Sequence, residues 1–250
     1  MKRNIRLSLL FIFFGYLLYA QEIEDKSTTK QIWLDYNPAF SLSEKVDVYG
    51  DIGARTLFPN EWYRFVVGPS VRYKRPKLIL KELYYKEELH FGIKFFFTAN
   101  KNFSNRIEIR PFQGYKLNWP DRPRIVLEHY LRLEERFDLE TANWVNTFGL
   151  RVRYQAKLIL KFKGDWLSFN DGLYLPVRME VFWNLKGAQQ FNDLVRLTPG
   201  IGYEFSPTWK TEFDFSYHYT RDTVEDDFDT NDFVFRLRVF HTLDLSNKRD

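Results

Sequence analysis

Period-two alternation, sustained over stretches long enough to cross a membrane, limits what this chain can fold into more than any other feature. Residues 124–137 (RIVLEHYLRLEERF) put Ile125, Leu127, Leu131, Leu133 and Phe137 on one parity. Val126, Glu128, Tyr130, Arg132, Glu134 and Arg136 take the other. The same alternation runs through 103–117, 144–160 and 173–185. Successive side chains of a strand point to opposite faces, so each segment reads as a strand with one apolar and one polar face. About 9–11 residues, tilted by about 45°, span the hydrocarbon core of a bilayer. The pattern predicts an all-β fold, an antiparallel transmembrane β-barrel, in preference to a soluble sandwich.

The first 20 residues read as a secretory signal peptide. Lys2, Arg3 and Arg6 form a positive region, Leu7 to Tyr19 is apolar apart from Ser8 and Gly15, and Ala20 is a small residue at the cut. The remaining 21–250 read as one barrel domain. The chain carries 37 basic and 33 acidic residues. The signal holds three of the basic ones and no acid, which leaves 34 against 33. A nearly neutral chain with interleaved charges is not a nucleic-acid binder by charge. With no cysteine, disulfides, thiolate metal sites and a cysteine nucleophile are excluded.

Strands are expected at 31–42, 46–56, 63–74, 84–98, 103–117, 124–137, 144–160, 173–185, 194–206, 209–220 and 232–243, with turn chemistry between them. Bacterial single-chain barrels use even strand numbers. A further short strand within Leu158–Phe169 would give about 12, and 10 is the alternative. Pro38, Pro69, Pro111, Pro176 and Pro199 fall inside these strands. Proline removes a ladder hydrogen bond, so bulges or shifted strand limits are expected there.

The polar parity carries Arg106, Glu108, Arg110, Glu128, Arg132, Glu134, Arg136, Arg151, Arg153, Arg178, Glu180, Arg196, Arg236 and Arg238. In a barrel these line the lumen, as a wall of a pore or as paired filler. Trp33, Trp62, Trp119, Trp144, Trp166, Trp183 and Trp209 fall at strand ends or in turns, where an interfacial aromatic girdle sits.

Two pairs of blocks look familiar. One is Ile107-Glu108-Ile109-Arg110-Pro111-Phe112-Gln113-Gly114 followed by Leu131-Arg132-Leu133-Glu134-Glu135-Arg136-Phe137. The other is Arg178-Met179-Glu180-Val181-Phe182-Trp183-Asn184 followed by Arg196-Leu197-Thr198-Pro199-Gly200-Ile201-Gly202-Tyr203. With Leu150-Arg151-Val152-Arg153-Tyr154, they resemble an uncharacterised family of Gram-negative outer-membrane β-barrels known as a domain of unknown function. The likeness runs roughly from Trp33 to Phe240. It implies an outer-membrane location and a single barrel, and brings no substrate or catalytic residue. The partners expected of such a barrel are outer-membrane lipid, lipopolysaccharide and the barrel assembly machinery. Such barrels usually finish on a strand ending in an aromatic residue, whereas here Phe240 has the inward parity and His241 to Asp250 follow.

Catalytic and metal chemistry are weakly signalled. Asp214, Ser216 and His218 share one parity, but residues two apart project in parallel, about 6.5–7 Å apart, too far for a Ser–His contact. His90 beside Glu88 is unremarkable, and His129 and His241 take the apolar parity. Loop 221–232 gathers Asp222, Glu225, Asp226, Asp227, Asp229 and Asp232, a density that suits calcium, without the glycine and terminal glutamate of an EF-hand loop. No cofactor and no metal centre is expected. The function expected is a small pore or passive channel for small polar solutes. The alternative is a non-conducting structural or partner-binding envelope barrel, with an outer-membrane hydrolase a distant third.

Overall fold

The computed structural model describes residues 27–58, 62–76, 78–79, 86–101, 103–162, 172–187, 193–221 and 229–246. The first 20 residues, expected to be a signal peptide, lie outside them. The described residues form eleven strands: β1 (Ser27–Ser41), β2 (Val46–Phe58), β3 (Trp62–Lys74), β4 (Glu87–Asn100), β5 (Arg106–Asp121), β6 (Ile125–Glu140), β7 (Asn146–Lys161), β8 (Leu173–Lys186), β9 (Asp193–Glu204), β10 (Trp209–Arg221) and β11 (Asp229–Asp244). Each lies within four residues of the segment its alternation marks. Serine side chains set two of the tight turns. The Ser43 hydroxyl accepts hydrogen bonds from the Lys45 and Val46 amides, and that of Ser206 accepts from Thr208 and Trp209.

Neighbours in sequence pair antiparallel around the sheet, and β1 pairs with β11 to close it. The expected count of 12, or 10, is therefore corrected to eleven among the described residues. The ladder leaves no place for an added strand between β7 and β8, because Ile159↔Pro176 and Lys161↔Tyr174 already pair them directly. Leu158–Lys161 belong to β7, and 163–171 lie outside the described residues. The odd number has a geometric consequence. First and last strands of an up-and-down meander of eleven run the same way, so the expected all-antiparallel barrel has one parallel seam, from Ser27↔Thr230 to Ser41↔Asp244. The start of β1 and the end of β11 consequently stand at opposite rims.

Pro38, Pro69, Pro111, Pro176 and Pro199 do not shift the register as expected. At each, two neighbouring pairings are missing from one ladder and pairing resumes in step: Tyr36↔Ile52 is followed by Ala39↔Tyr49, and Ile109↔Phe137 by Phe112↔Glu134. The register shifts fall at Leu150/Arg151, at Tyr219/Thr220 and at Asn118/Asp121, where a sixth strand proline, Pro120, stands near the end of β5. One absent donor costs a local rung, while the long strands on both sides hold the alignment.

Burial is inverted relative to a water-soluble core. Glu134, Glu212 and Asp214 are fully buried, whereas Leu131, Phe65 and Ile201 are 50%, 55% and 56% exposed. Charged side chains fill the inside and a continuous apolar surface covers the outside. A water-soluble monomer rarely exposes so wide an apolar patch.

Bulky inward side chains lie flat where the facing wall residue is glycine. A Cβ at Gly92 would stand 2.7 Å from the Phe112 ring, and one at Gly202 would overlap the Tyr174 ring. Tyr174 is held in that position by its hydroxyl, which donates to Glu212 at 3.1 Å. Gly202→Ala should therefore cost about 1–3 kcal/mol of folding stability by overpacking. Adding Tyr174→Ala should return part of that loss, so the two changes are non-additive in a denaturant-unfolding double-mutant cycle.

Candidate functional site

Inside the barrel, short carboxylates sit against the wall and serve several long cations each. Glu134 on β6 bonds Arg132 on its own strand and Arg151 on β7, with Arg110 at 3.7 Å and Arg153 at 3.9 Å. Glu212 on β10 takes Arg178, Lys157 at 3.2 Å and Arg238 at 3.4 Å. Glu108 accepts from Arg110 at 2.8 Å and Arg136 at 2.7 Å, and Glu180 bonds Arg153 with Arg196 at 3.8 Å. Asp214 accepts from Arg178 at 2.8 Å and Asp35 from Arg236 at 2.5 Å. The fork-shaped guanidinium suits such shared, charge-assisted bonding.

Aromatic rings on the inner face stand among the cations. Arg196, Arg151 and Arg153 stand 4.7, 4.8 and 5.3 Å from the Phe182 ring centre. Arg110 lies 4.4 Å over Phe96, and Arg132 4.8 Å over Phe112. Each face is a weak counter-charge for a guanidinium. Trp33 is the most crowded of them. Register sets Arg55 of β2 on one side of it and Arg236 of β11 on the other, at 4.0 and 5.5 Å, with Arg196 at 5.8 Å. The His218 ring meets Trp33 edge-on at 5.5 Å.

Of the fourteen charged residues singled out from sequence, eleven border one interior cavity of about 660 Å³. Arg106, Glu108 and Glu134 do not border it. The first pairs with Asp138 at 2.7 Å, and the other two lie behind arginines. Further cations border the same cavity, among them Arg55, Arg64, Arg72, Lys94, Lys116, Lys157 and Lys210. Parity is the sequence signal that marks several of them: Arg55 with Asp51 on β2, Lys94 with Glu88 on β4, Lys116 with Arg110 on β5, Lys157 with Arg153 on β7 and Lys210 with Glu212 on β10.

Trp33 and Trp62 do not belong to an outer girdle, because both take the inward parity and border the cavity. Their neighbours two residues away, Asp35 and Arg64, carry that parity in the sequence, and alternation overrides position near a strand end. Trp119, Trp144, Trp183 and Trp209 are exposed near the rims. Trp166 lies outside the described residues, as does most of the acidic loop, 222–228. Among the described residues no group of three histidines or acids is placed to hold a metal.

Asp214, Ser216 and His218 all point inward but do not bond one another. Asp214 takes Arg178, Ser216 shares a hydrogen bond with Thr198, and His218 packs on Trp33. His90 lies 3.0 Å from Glu88 and shares a hydrogen bond with Tyr49 at 2.8 Å. On the outer face, His129 pairs with the Tyr154 hydroxyl at 2.7 Å, and His241 stacks on Trp209.

A closed barrel with an apolar exterior and a charged, cavity-containing interior defines the class of this protein. Within that class, the model of the family described as "Protein of unknown function (DUF2490)" matches residues 30–229, and the chain belongs to that family. No curated protein matches the chain.

Breaking a buried ion pair by removing one partner leaves uncompensated charge. Glu134→Gln strands several guanidiniums at once and should cost about 3–5 kcal/mol. Arg110→Gln, whose loss leaves Glu134 bonded to Arg132 and Arg151, should cost less in the same denaturant titration.

Proposed function

We propose that this protein is an integral outer-membrane barrel whose interior is a small passage for polar solutes. One observation carries the reading. The cavity reaches from Thr29 and Trp62 near one rim to Lys116, Lys210 and Thr242 near the other, with charged side chains along its length. Rings of charged side chains are a general means of setting what a pore admits. The apolar outer face supports the membrane part of the reading, since a bilayer is the solvent such a surface needs. Lipid and lipopolysaccharide would contact that face, and the barrel assembly machinery would insert it.

A second reading is a non-conducting barrel that holds a partner at its rims. It is favoured by the ion pairs that tie non-neighbouring strands together inside the barrel, such as Lys157 of β7 to Glu212 of β10.

Single-channel recording of the refolded, signal-free protein in a planar bilayer separates the two. Discrete conductance steps are expected. A folded but silent barrel would reject the passage and leave the second reading. In a conducting barrel, Arg132→Gln with Arg136→Gln should shift ion preference toward cations, because both guanidiniums border the cavity while Glu134 and Glu108 remain behind them. Unchanged preference would place the conducting path elsewhere.

The membrane part has its own test. Leu131→Arg, midway along β6 on the outer face, should cost about 2–4 kcal/mol of folding stability in lipid. At a water-facing surface the same change would fall within about 0.5 kcal/mol.

A further inference from the structure

The cavity surface is strongly cationic although the chain without its signal is nearly neutral. Sixteen arginines and lysines border the cavity, against four carboxylates: Asp51, Glu128, Glu180 and Asp232. Seven more carboxylates, among them Glu134, Glu212 and Asp35, pair with these cations from the wall without bordering the cavity. Sixteen cations against eleven carboxylates leave a surplus of positive charge, and the solute-facing surface is more one-sided still.

That surplus has a focus. Arg55 holds no carboxylate within ion-pair distance among the described residues, and its buried Nε has no hydrogen-bond partner. Its guanidinium rests instead on Trp33 at 4.0 Å and faces Phe96 at 5.7 Å. Arg196, Arg236 and His218 surround the same tryptophan. Of the three guanidiniums there, Arg236 is matched by Asp35 at 2.5 Å, and the Glu180 near Arg196 also serves Arg153. Among the described residues Lys210 also lacks a carboxylate within ion-pair distance, but it stands apart from this group, over Phe240.

We propose that the Trp33 cluster is a binding site for small oxyanion solutes, those carrying a phosphate or carboxylate group, and that it gives the passage an anion preference. The proposal rests on the interior being accessible to solutes, as the proposed function requires. Arginine forks match planar or tetrahedral oxyanions in geometry as well as charge, and arginine-lined constrictions are a known design for anion and phosphate pores. A cavity of about 660 Å³ has room for such a solute.

Two measurements test this independently of each other. Calorimetric titration of the folded barrel in detergent with inorganic phosphate should show saturable binding that weakens as salt is added. Arg55→Gln removes a cation that holds no carboxylate, so the ion-pair lattice stays intact. It should weaken phosphate binding about tenfold, the loss of one charge-assisted hydrogen bond. Lys210→Gln, away from Trp33, should weaken it much less. Equal losses from the two variants would mean diffuse attraction and overturn the site. Should Arg55→Gln fail to fold, Arg196→Gln carries the same expectation. In a planar bilayer under a potassium chloride gradient, the reversal potential should report chloride over potassium.

A folded barrel that conducts, prefers potassium and binds no phosphate would sink this proposal and leave the passage standing. A silent barrel with Arg55-dependent phosphate binding would reject the passage and its anion preference and leave the binding site alone standing.

Discussion

The seam between β1 and β11 is the constraint on which the interior depends. Fifteen paired residues join the two ends of the sheet, more than 200 positions apart in sequence. Without the seam the sheet has two edges, and an open edge leaves a row of backbone donors and acceptors unpaired. The seam also assembles side chains that no local segment brings together. Arg236 reaches Asp35, Thr29 bonds Asp232, and Tyr36 meets His241 at 2.9 Å. Trp33 has Arg55 on one side only because β2 follows β1. It has Arg236 on the other only because β11 closes onto β1. The cluster at the centre of the oxyanion proposal is thus a product of closure.

Closure also explains how a nearly neutral chain acquires a cationic interior surface. Aspartate and glutamate side chains are short and stay near the wall, while arginine and lysine extend several bonds further. Placed on the same concave face, the two kinds separate radially. Glu134 and Glu212 are fully buried behind the guanidiniums they bind, and the guanidiniums border the cavity. Counting charges along the sequence hides this, because the sorting is by reach and not by number. Inward aromatic rings complete the arrangement, for Phe182 and Trp33 each have three arginines within about 6 Å of the ring centre.

Alternation made much of this legible in advance, and where it failed the reasons are physical. Strand positions and the parity of each strand follow from a period of two, which survives errors of a few residues at either end. The count of twelve came from the evenness of known barrels, a property of assemblies that no residue in this chain encodes. The placing of Trp33 and Trp62 in an outer girdle rested on their nearness to strand ends. Parity with Asp35 and Arg64 contained the right answer, since one step along a strand exchanges inside for outside. Register across the seam was out of reach, because it depends on which residues meet after the sheet has curled shut. The pairing of Gly202 with Tyr174 and of Gly92 with Phe112 was hidden because alternation gives the parity of a strand but not its register against the next.

The ion-pair lattice and the cationic surplus serve different ends, and the interior needs both. Buried ion pairs are weak evidence of stability, since desolvation can offset their attraction. Here the comparison is with cations left alone in the same cavity. Sixteen unmatched arginines and lysines would repel one another strongly enough to oppose closure. An equal number of carboxylates would remove the repulsion and with it any field along the axis. Carboxylates shared among several guanidiniums lie between these limits. They hold the cations in fixed positions and neutralise most of the charge. The remainder stays where a solute would meet it, around a tryptophan whose faces are already occupied by guanidiniums. Arg55 is the residue at which the two roles part. It forms no ion pair of the lattice among the described residues, and its guanidinium lies over Trp33 where it borders the cavity.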